Sequence, residues 1–454
     1  MGWALSSEII IIGAGNIGYT IARTLSKRHS ITVVEGDEDK FGYILDYLDV
    51  AAMNANGANP KVLREVIDEQ TKLVIAVTEK DEVNMFACAV AKQVKGDIIT
   101  VARVRNPEYE EDGAVSKLMN VDFVLSPERI VAEKMIKMVD MENLVDWEEL
   151  PGIDVSMGKF QISGLFSHVF CTSVRQLPIP EGCKILAIHR ERASIIPDDD
   201  YRLVAGDEIT VIGSSECLTR FDQYLGKRMR MKDFVIVGGG ILGEHLVTRL
   251  ESKGSSVKII EEDGERCNGL SKRSNRTVVV MGNGADPSIL KAENVNMTDV
   301  LFAVTENEEK NLITALIAKQ LGVLKVVASF SKRDYEDVFS MSEIDADIGY
   351  YHVVANEIIR LIYPGFKALL LLETFSEMLF SIDVGDESQF KGQAIEQIDL
   401  PDRTTIAMVL RNGRTTVPYM GLVLEKGDTM LFYTVKADIP ALERMLDIRI
   451  PVNP

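Results

Sequence analysis

Four consecutive isoleucines, Ile9 to Ile12, open the first apolar run of the chain. An unbroken β-branched run predicts a strand buried on both faces. It ends in Gly13-Ala14-Gly15-Asn16-Ile17-Gly18, after which Ile17, Ile21 and Leu25 recur every fourth position and predict a helix. The alternation continues. Residues 31–35 read as a second strand, 50–53 as a short third, 73–77 as a fourth, 98–104 as a fifth and 123–125 as a sixth. Residues 83–94 read as a helix, and another opens at Pro127 with Ile130, Val131, Met135, Met138 and Val139 on one side. Strands alternating with helices at this rhythm imply βαβ units and a parallel sheet.

The pattern then changes. Between about 145 and 226, short apolar runs are separated by the turn signals Pro178-Ile179-Pro180, Ile196-Pro197-Asp198 and Ala205-Gly206-Asp207, as in a small α+β module. Gly226 to Arg230 is a basic connector, and the first pattern returns with Phe234-Val235-Ile236-Val237-Gly238-Gly239-Gly240-Ile241-Leu242-Gly243. Gly238 lies 225 positions after Gly13. At nearly the same offset Val34-Glu35 matches Ile260-Glu261, Asn56-Gly57 matches Asn283-Gly284, and Ala76-Val77-Thr78-Glu79 matches Ala303-Val304-Thr305-Glu306. Landmarks aligned in one order mark an internal duplication. The small module repeats too: residues 406–411 echo 185–190, and Gly427-Asp428 echoes Gly206-Asp207. The fold class expected is α/β, with two Rossmann-like doubly wound parallel-sheet domains, each followed by a small α+β module. The domains expected are 8–139, 145–226, 231–362 and 367–450.

The chain has 454 residues, 46% hydrophobic and 26% charged, enough for several ordinary globular cores. Its formal net charge of −19 argues against nucleic acid as a partner, because phosphate contacts need clustered Lys and Arg. No segment reaches the roughly 20 apolar residues that span a bilayer, and strand residues begin by Glu8, which leaves no secretory-leader pattern. The cysteines, Cys88, Cys171, Cys183, Cys217 and Cys267, are odd in number, scattered and without a C-x-x-C pair. They read as buried, reduced thiols of a cytosolic protein.

The strand–turn–helix context gives the glycine motifs a physical meaning. Gly13 makes the turn, Gly15 lets backbone N–H groups approach a pyrophosphate at the positive end of a helix, and Gly18 lets helix and strand pack closely. Candidate binding residues in the first half are therefore Gly13, Ala14, Gly15, Asn16 and Ile17, and in the second Gly238, Gly239, Gly240, Ile241 and Leu242. Glu35 and Glu261 end the second strand of each half, where a carboxylate accepts the ribose hydroxyls of an adenosine and repels a 2′-phosphate. Asn56-Gly57, Asn283-Gly284, Thr78-Glu79 and Thr305-Glu306 end strands on the same rim. Arg103 ends the fifth strand, where a cation would pair with the pyrophosphate. The second half departs at that position: Ser329 and Ser331 stand where the first half has Arg103 and Arg105.

Catalytic groups are scarce. The histidines, His29, His168, His189, His245 and His352, do not cluster in metal-ligand spacing. No Ser/His/Asp arrangement is visible, and Asp198-Asp199-Asp200 reads as a polar turn. No catalytic or metal residues are assigned.

Taken with these motifs, Asn59-Pro60-Lys61-Val62-Leu63-Arg64-Glu65, Glu82, Asn84 and Ala102-Arg103-Val104-Arg105-Asn106-Pro107-Glu108-Tyr109 make the chain resemble the TrkA family of Trk-type potassium uptake regulatory proteins. In the second half the carrying residues are Gly238-Gly239-Gly240, Ala303-Val304-Thr305, Asn311 and Ala318-Lys319. The resemblance covers nearly the whole chain. Its modules are called RCK or KTN domains, each a Rossmann domain with a small module holding a βαβ unit. It implies a cytosolic subunit, peripheral on the inner face of the cell membrane, that docks on an integral membrane potassium transporter subunit of the TrkH kind. It also implies gating through NAD/NADH and ATP/ADP, and a homo-oligomer, either a dimer or a ring of four chains. The alternatives are an NAD-dependent oxidoreductase and a regulator of another cation channel or transporter. With Ser329 at this position, the second half departs from the arginine that the resemblance implies for its phosphate contacts. We predict that the isolated first half binds NADH and ATP more tightly than the isolated second half; equal affinities by isothermal titration would refute this.

Overall fold

The computed structural model describes residues 8–110, 113–150, 152–162, 172–190, 193–226, 231–274, 276–363, 366, 368–372, 377–448 and 450. His168, Cys171 and the basic residues 227–230 lie outside them. The strands in chain order begin with β1 (Glu8–Ile12), β2 (Ser30–Glu35), β3 (Ala51–Asn54), β4 (Thr71–Ala76), β5 (Ile99–Arg103) and β6 (Phe123–Leu125). Next come β7 (Leu144–Leu150), β8 (Val155–Gln161), β9 (Lys184–Arg190), β10 (Ala193–Ile195) and β11 (Glu208–Gly213). The second half adds β12 (Asp233–Val237), β13 (Ser256–Glu261), β14 (Val278–Met281), β15 (Val300–Ala303), β16 (Lys325–Phe330) and β17 (Ala346–Gly349). The chain closes with β18 (Leu369–Leu372), β19 (Glu377–Asp383), β20 (Thr404–Arg411), β21 (Arg414–Thr416) and β22 (Thr429–Val435).

The four sheets fall into two compact units that do not follow chain order: both six-stranded sheets belong to one unit and both five-stranded sheets to the other. In the first unit the strand orders are β3-β2-β1-β4-β5-β6 and β14-β13-β12-β15-β16-β17, parallel throughout. The strand order reverses beside β1 and β12, which makes the crevice at their carboxyl ends the switch point of each sheet. Ile9 to Ile12 are at most 1% exposed, as a strand covered on both faces requires. Helix starts follow local chemistry as well. Asn59 accepts from Lys61 N–H and Pro60 opens the helix Pro60–Val66; Asp286 and Pro287 repeat the device at Pro287–Ala292.

In the second unit the orders are β10-β9-β11-β8-β7 and β18-β19-β22-β20-β21, and neighbouring strands are antiparallel. β8 and β9 lie on either side of β11, and β19 and β20 on either side of β22, so each of these pairs runs parallel and is joined by a crossover; among the described residues the crossovers hold the 3-10 turns Val174–Gln176 and Ile395–Gln397. Each sheet carries the same ion pair. Arg190 reaches the Asp207 carboxylate at 2.7 and 2.8 Å, and Arg411 reaches Asp428 at 2.8 and 2.7 Å. One apolar cluster draws on both sheets, joining Leu150, Met157, Leu186 and Ile212 to Leu370, Leu379, Met408, Leu431 and Tyr433. Polar groups cross the same contact. Lys184 Nζ donates to Thr405 Oγ1 at 2.9 Å and to the Ile406 carbonyl at 2.6 Å. The Glu377 carboxylate, 1% exposed, accepts from Ser194 Oγ and Tyr433 OH. His189 bridges Thr210 Oγ1 (2.7 Å) and Ser194 Oγ (3.1 Å), and burial lowers its pKa to about 3, so the ring is neutral.

One cysteine expectation is corrected. Cys183 and Cys217 form a disulfide, their Cα atoms 6.1 Å apart across 34 positions of sequence. Cys88 and Cys267 are free and buried, as expected. The pairing arises because the turn before β9 and the helix Ser215–Leu225 meet in space, which no sequence spacing reveals.

Lys184 has no carboxylate among its partners in the described residues, and burial lowers its pKa from 10.5 to about 8. Between those two values the unfolded chain keeps a proton that folded Lys184 has released, so stability rises with pH across that window. We expect the wild type to gain roughly 1–2 kcal/mol from pH 7.5 to 9.5 relative to Lys184→Met. Urea unfolding at the two pH values measures this, and an identical pH response in both proteins would reject it.

Candidate functional site

Both crevices are built by the same turn. Gly13 has φ +103° and Gly238 φ +114°, a region open to glycine. A Cβ on Gly18 would lie 1.9 Å from the Gly13 carbonyl oxygen, so only glycine lets the helix Asn16–Leu25 approach β1 this closely. Around Gly15 a Cβ would meet nothing within 4 Å, which leaves open space above the turn. Gly15 and Gly240 are also the N-caps of the helices Asn16–Leu25 and Ile241–Ser252, and neither supplies a side-chain cap. By contrast Asp37, Asn59, Asp263 and Asp286 cap other helices of this unit with their side chains. The uncapped N–H groups are a ready anion site.

Glu35 and Glu261 lie beside these turns. Glu35 accepts from Ala14 N–H at 2.6 Å and from Asp37 N–H at 2.9 Å. Glu261, 6% exposed, accepts from Gly239 N–H at 2.5 Å and from Asp263 N–H at 2.8 Å. The carboxylate thereby fixes the glycine turn to the second strand of its sheet. The Asn56-Gly57 and Asn283-Gly284 turns lie over the ends of β1 and β12, since a Cβ on Gly57 or Gly284 would strike Ile12 or Val237 at 2.2 and 2.1 Å. Asn56 and Asn283 spend their side-chain oxygens on Ala58 and Ala285 N–H.

Thr78 and Thr305 belong to a pair of stapled strand ends. Asn84, fully buried, accepts from Thr78 N–H (2.8 Å) and Oγ1 (2.7 Å), and donates to the carbonyls of Thr78 (3.0 Å) and Arg103 (2.9 Å). Asn311 does the same with Thr305 and with the Ser329 carbonyl at 2.9 Å. These bonds make Ser329 the structural counterpart of Arg103.

Arg103 does not stand open on the rim. Its Nη2 is 3.4 Å from Glu128 Oε1, and Arg105 Nε is 2.9 Å from the same oxygen. Tyr350, at the start of the helix Tyr350–Ile362 in the other half, faces this group; burial and the Glu128 carboxylate raise its pKa, so its hydroxyl stays protonated. Glu79 pairs with Lys40 at 3.4 Å. Glu306 lies 3.8 Å from Arg266 and 3.8 Å from Arg105.

The second crevice is a cavity of about 140 Å³ lined by Gly238, Gly240, Glu261, Asn283, Gly284, Thr305 and Glu306, all expected from sequence. It also takes in Glu262, Arg266, Asn307, Lys310 and Thr314, which sequence reasoning missed. Lys310 pairs with Glu262 at 2.7 and 2.8 Å. Arg266 was discoverable: it stands three positions after the cap Asp263, as Lys40 stands three after Asp37, and each cation pairs with the matching rim glutamate. Lys310 occupies the place of Val83 and carried no repeat signal. Among the described residues no cluster of His, Cys, Asp and Glu is arranged to hold a metal ion, and no helix is long and apolar enough to cross a membrane.

The model of the TrkA-N domain matches residues 9–127 and 234–349, and that of the TrkA-C domain matches 167–226 and 379–447. The Trk system potassium uptake protein TrkA homolog 1 of Methanosarcina mazei is 30% identical over 447 residues, covering 96% of this chain and 99% of its own. This chain belongs to the TrkA family. The Trk system potassium uptake protein TrkA of Halomonas elongata is 31% identical over 453 residues, covering 97% and 99%. Solved structures share the fold at lower identity. The GsuK RCK domain superposes with a TM-score of 0.64 at 15% identity, covering 99% of this chain and 97% of that one. The GsuK channel bound to NAD gives 0.63 at 16%, covering 99% and 80%, and GsuK bound to ADP gives 0.52 at 15%, covering 80% and 71%.

The asparagine staple generates a prediction. Asn84→Ala removes four hydrogen bonds and strands buried backbone groups, so it should cost about 2–4 kcal/mol of stability. Chemical denaturation measures this, and a loss under half a kilocalorie would contradict the role given to Asn84.

Proposed function

We propose that this chain is a cytosolic, nucleotide-binding regulatory subunit of a potassium uptake transporter, in which ligand occupancy changes shape and no bond is made or broken. The observation that carries this reading is the repeated crevice. In both halves an uncapped helix N-terminus, a glycine turn and a strand-end carboxylate converge. That set fits an adenosine diphosphate moiety, the part common to NAD/NADH and ATP/ADP. Gly13 to Ile17 and Gly238 to Leu242 would hold the pyrophosphate, with Glu35 and Glu261 on the ribose. Asn56-Gly57, Asn283-Gly284, Thr78-Glu79 and Thr305-Glu306 would border the base and sugar. The strand-end carboxylates favour NAD over NADP, because a 2′-phosphate would meet a negative charge. To reach a pyrophosphate, Arg103 would exchange its Glu128 partner for phosphate.

The names of the relatives support the same reading, as do the NAD-bound and ADP-bound forms of the structural neighbour GsuK. The chain would act peripherally, on the inner face of the cell membrane, by docking on an integral potassium transporter subunit of the TrkH kind. Assembly as a dimer or a ring of four chains would let both crevices pull on that partner. The size of the effect is bounded by the ligand's difference in affinity between the two shapes. Pull-down of the full chain with membranes, with and without ATP or NADH, tests this. We expect an integral membrane potassium transporter to be captured in a nucleotide-dependent amount, and Glu35→Ala with Glu261→Ala to abolish the dependence. Capture of no membrane partner in any condition would refute the regulatory reading.

A further inference from the structure

The second crevice lacks the cation that the first half carries at the end of its fifth strand. β4 pairs Ala76 with Ala102 and β15 pairs Ala303 with Ala328, so the register puts Ser329 at the place of Arg103 and Ser331 at that of Arg105. The rim of this crevice is acidic, with Glu261, Glu262 and Glu306. Lys310 is engaged with Glu262, and Arg266 alone of the second half's arginines lines the cavity among the described residues.

We propose that Arg105, from the first half, is a phosphate ligand of the second crevice. This rests on the nucleotide reading of that crevice and extends it. Arg105 already reaches the rim: its Nη2 is 3.8 Å from Glu306 Oε1, and Arg266 Nη2 is 3.8 Å from the same oxygen on the other side. Glu306 thus marks a point where an anion meets two guanidinium groups. Its side chain is 67% exposed, and neither contact is within hydrogen-bond distance, so the carboxylate is a weak occupant. A phosphate offers more charge and more acceptor oxygens than a carboxylate, and the guanidinium fork matches it.

The anchoring of Arg105 supports the assignment. Its backbone N–H donates to both oxygens of the Asp81 carboxylate at 3.0 Å, and its Nε is held by Glu128 at 2.9 Å. The Nε–H of the guanidinium is therefore fixed on Glu128 while Nη2 lies 3.8 Å from Glu306 on the rim of the second crevice. Because Glu128 also holds Arg103, a phosphate drawing on Arg105 in the second crevice and one drawing on Arg103 in the first would compete with one carboxylate. The two sites are coupled through it, and the coupling is reciprocal.

Isothermal titration on the full chain tests this, in a Glu35→Ala background that silences the first crevice, with ADP and adenosine as the probes. Arg105→Ala should weaken ADP binding about tenfold or more while leaving adenosine within about twofold. Glu306→Gln, which removes the competing charge, should tighten ADP. Unchanged ADP affinity in Arg105→Ala would overturn the proposal, as would an equal loss of ADP and adenosine, which marks a structural role. Those two outcomes leave the crevice itself standing if Glu261→Ala still abolishes binding. ADP binding insensitive to Glu261→Ala would instead remove the nucleotide reading, and this proposal with it.

Discussion

A hydrogen bond from the glycine turn to a strand-end carboxylate shapes both crevices. Ala14 N–H donates to Glu35 and Gly239 N–H to Glu261, while the second oxygen of each carboxylate takes Asp37 or Asp263 N–H. A carboxylate in this position cannot stay dry and unpaired, so it holds whatever N–H groups are near. The same bonds tie the turn after the first strand to the end of the second, and set the helix start between them. With the turn fixed, the helix N-terminus stays uncapped and faces the open space above Gly15. The sites are thus preorganised: an anion arriving there displaces no side-chain cap.

The asparagine staples extend this order one strand further. Asn84 and Asn311 bind the ends of the fourth and fifth strands of their sheets into a single rim, so Thr78 and Thr305 are held independently of any ligand. What differs between the halves is the charge that follows the staple. Arg103 in one half and Ser329 in the other occupy equivalent backbone, which places a guanidinium paired with Glu128 on one side and an uncharged hydroxyl on the other. The duplicated scaffold is kept, while side chains on the rim differ, as at Arg103 and Ser329, Arg105 and Ser331, and Val83 and Lys310.

The five-stranded sheets tell the same story in their own unit. Each keeps its arginine–aspartate pair, and together they close one apolar core. The copies differ at residues through which they touch. Lys184 meets Thr405, its own counterpart in the repeat, and Glu377 receives hydroxyls from both sheets. A buried polar contact of this kind costs stability when either partner is removed, because the other is left unpaired.

The sequence by itself determined the parallel sheets, the crevices at their switch points and the duplication. Those features depend on neighbours in the chain: the isoleucine run before Gly13, the spacing of Ile17, Ile21 and Leu25, the glycines, and Asn59 before Pro60. Glu35 and Glu261 were legible because the βαβ unit fixes their distance from the turn. Tertiary structure alone decided the rest. It grouped large domains with large and small with small, paired Cys183 with Cys217, laid the small modules as antiparallel ladders, and turned Arg103 onto Glu128 and Arg105 toward Glu306. Each of these joins groups far apart in sequence, and whether they meet depends on how whole sheets and helices pack, a distance that no local pattern of side chains encodes.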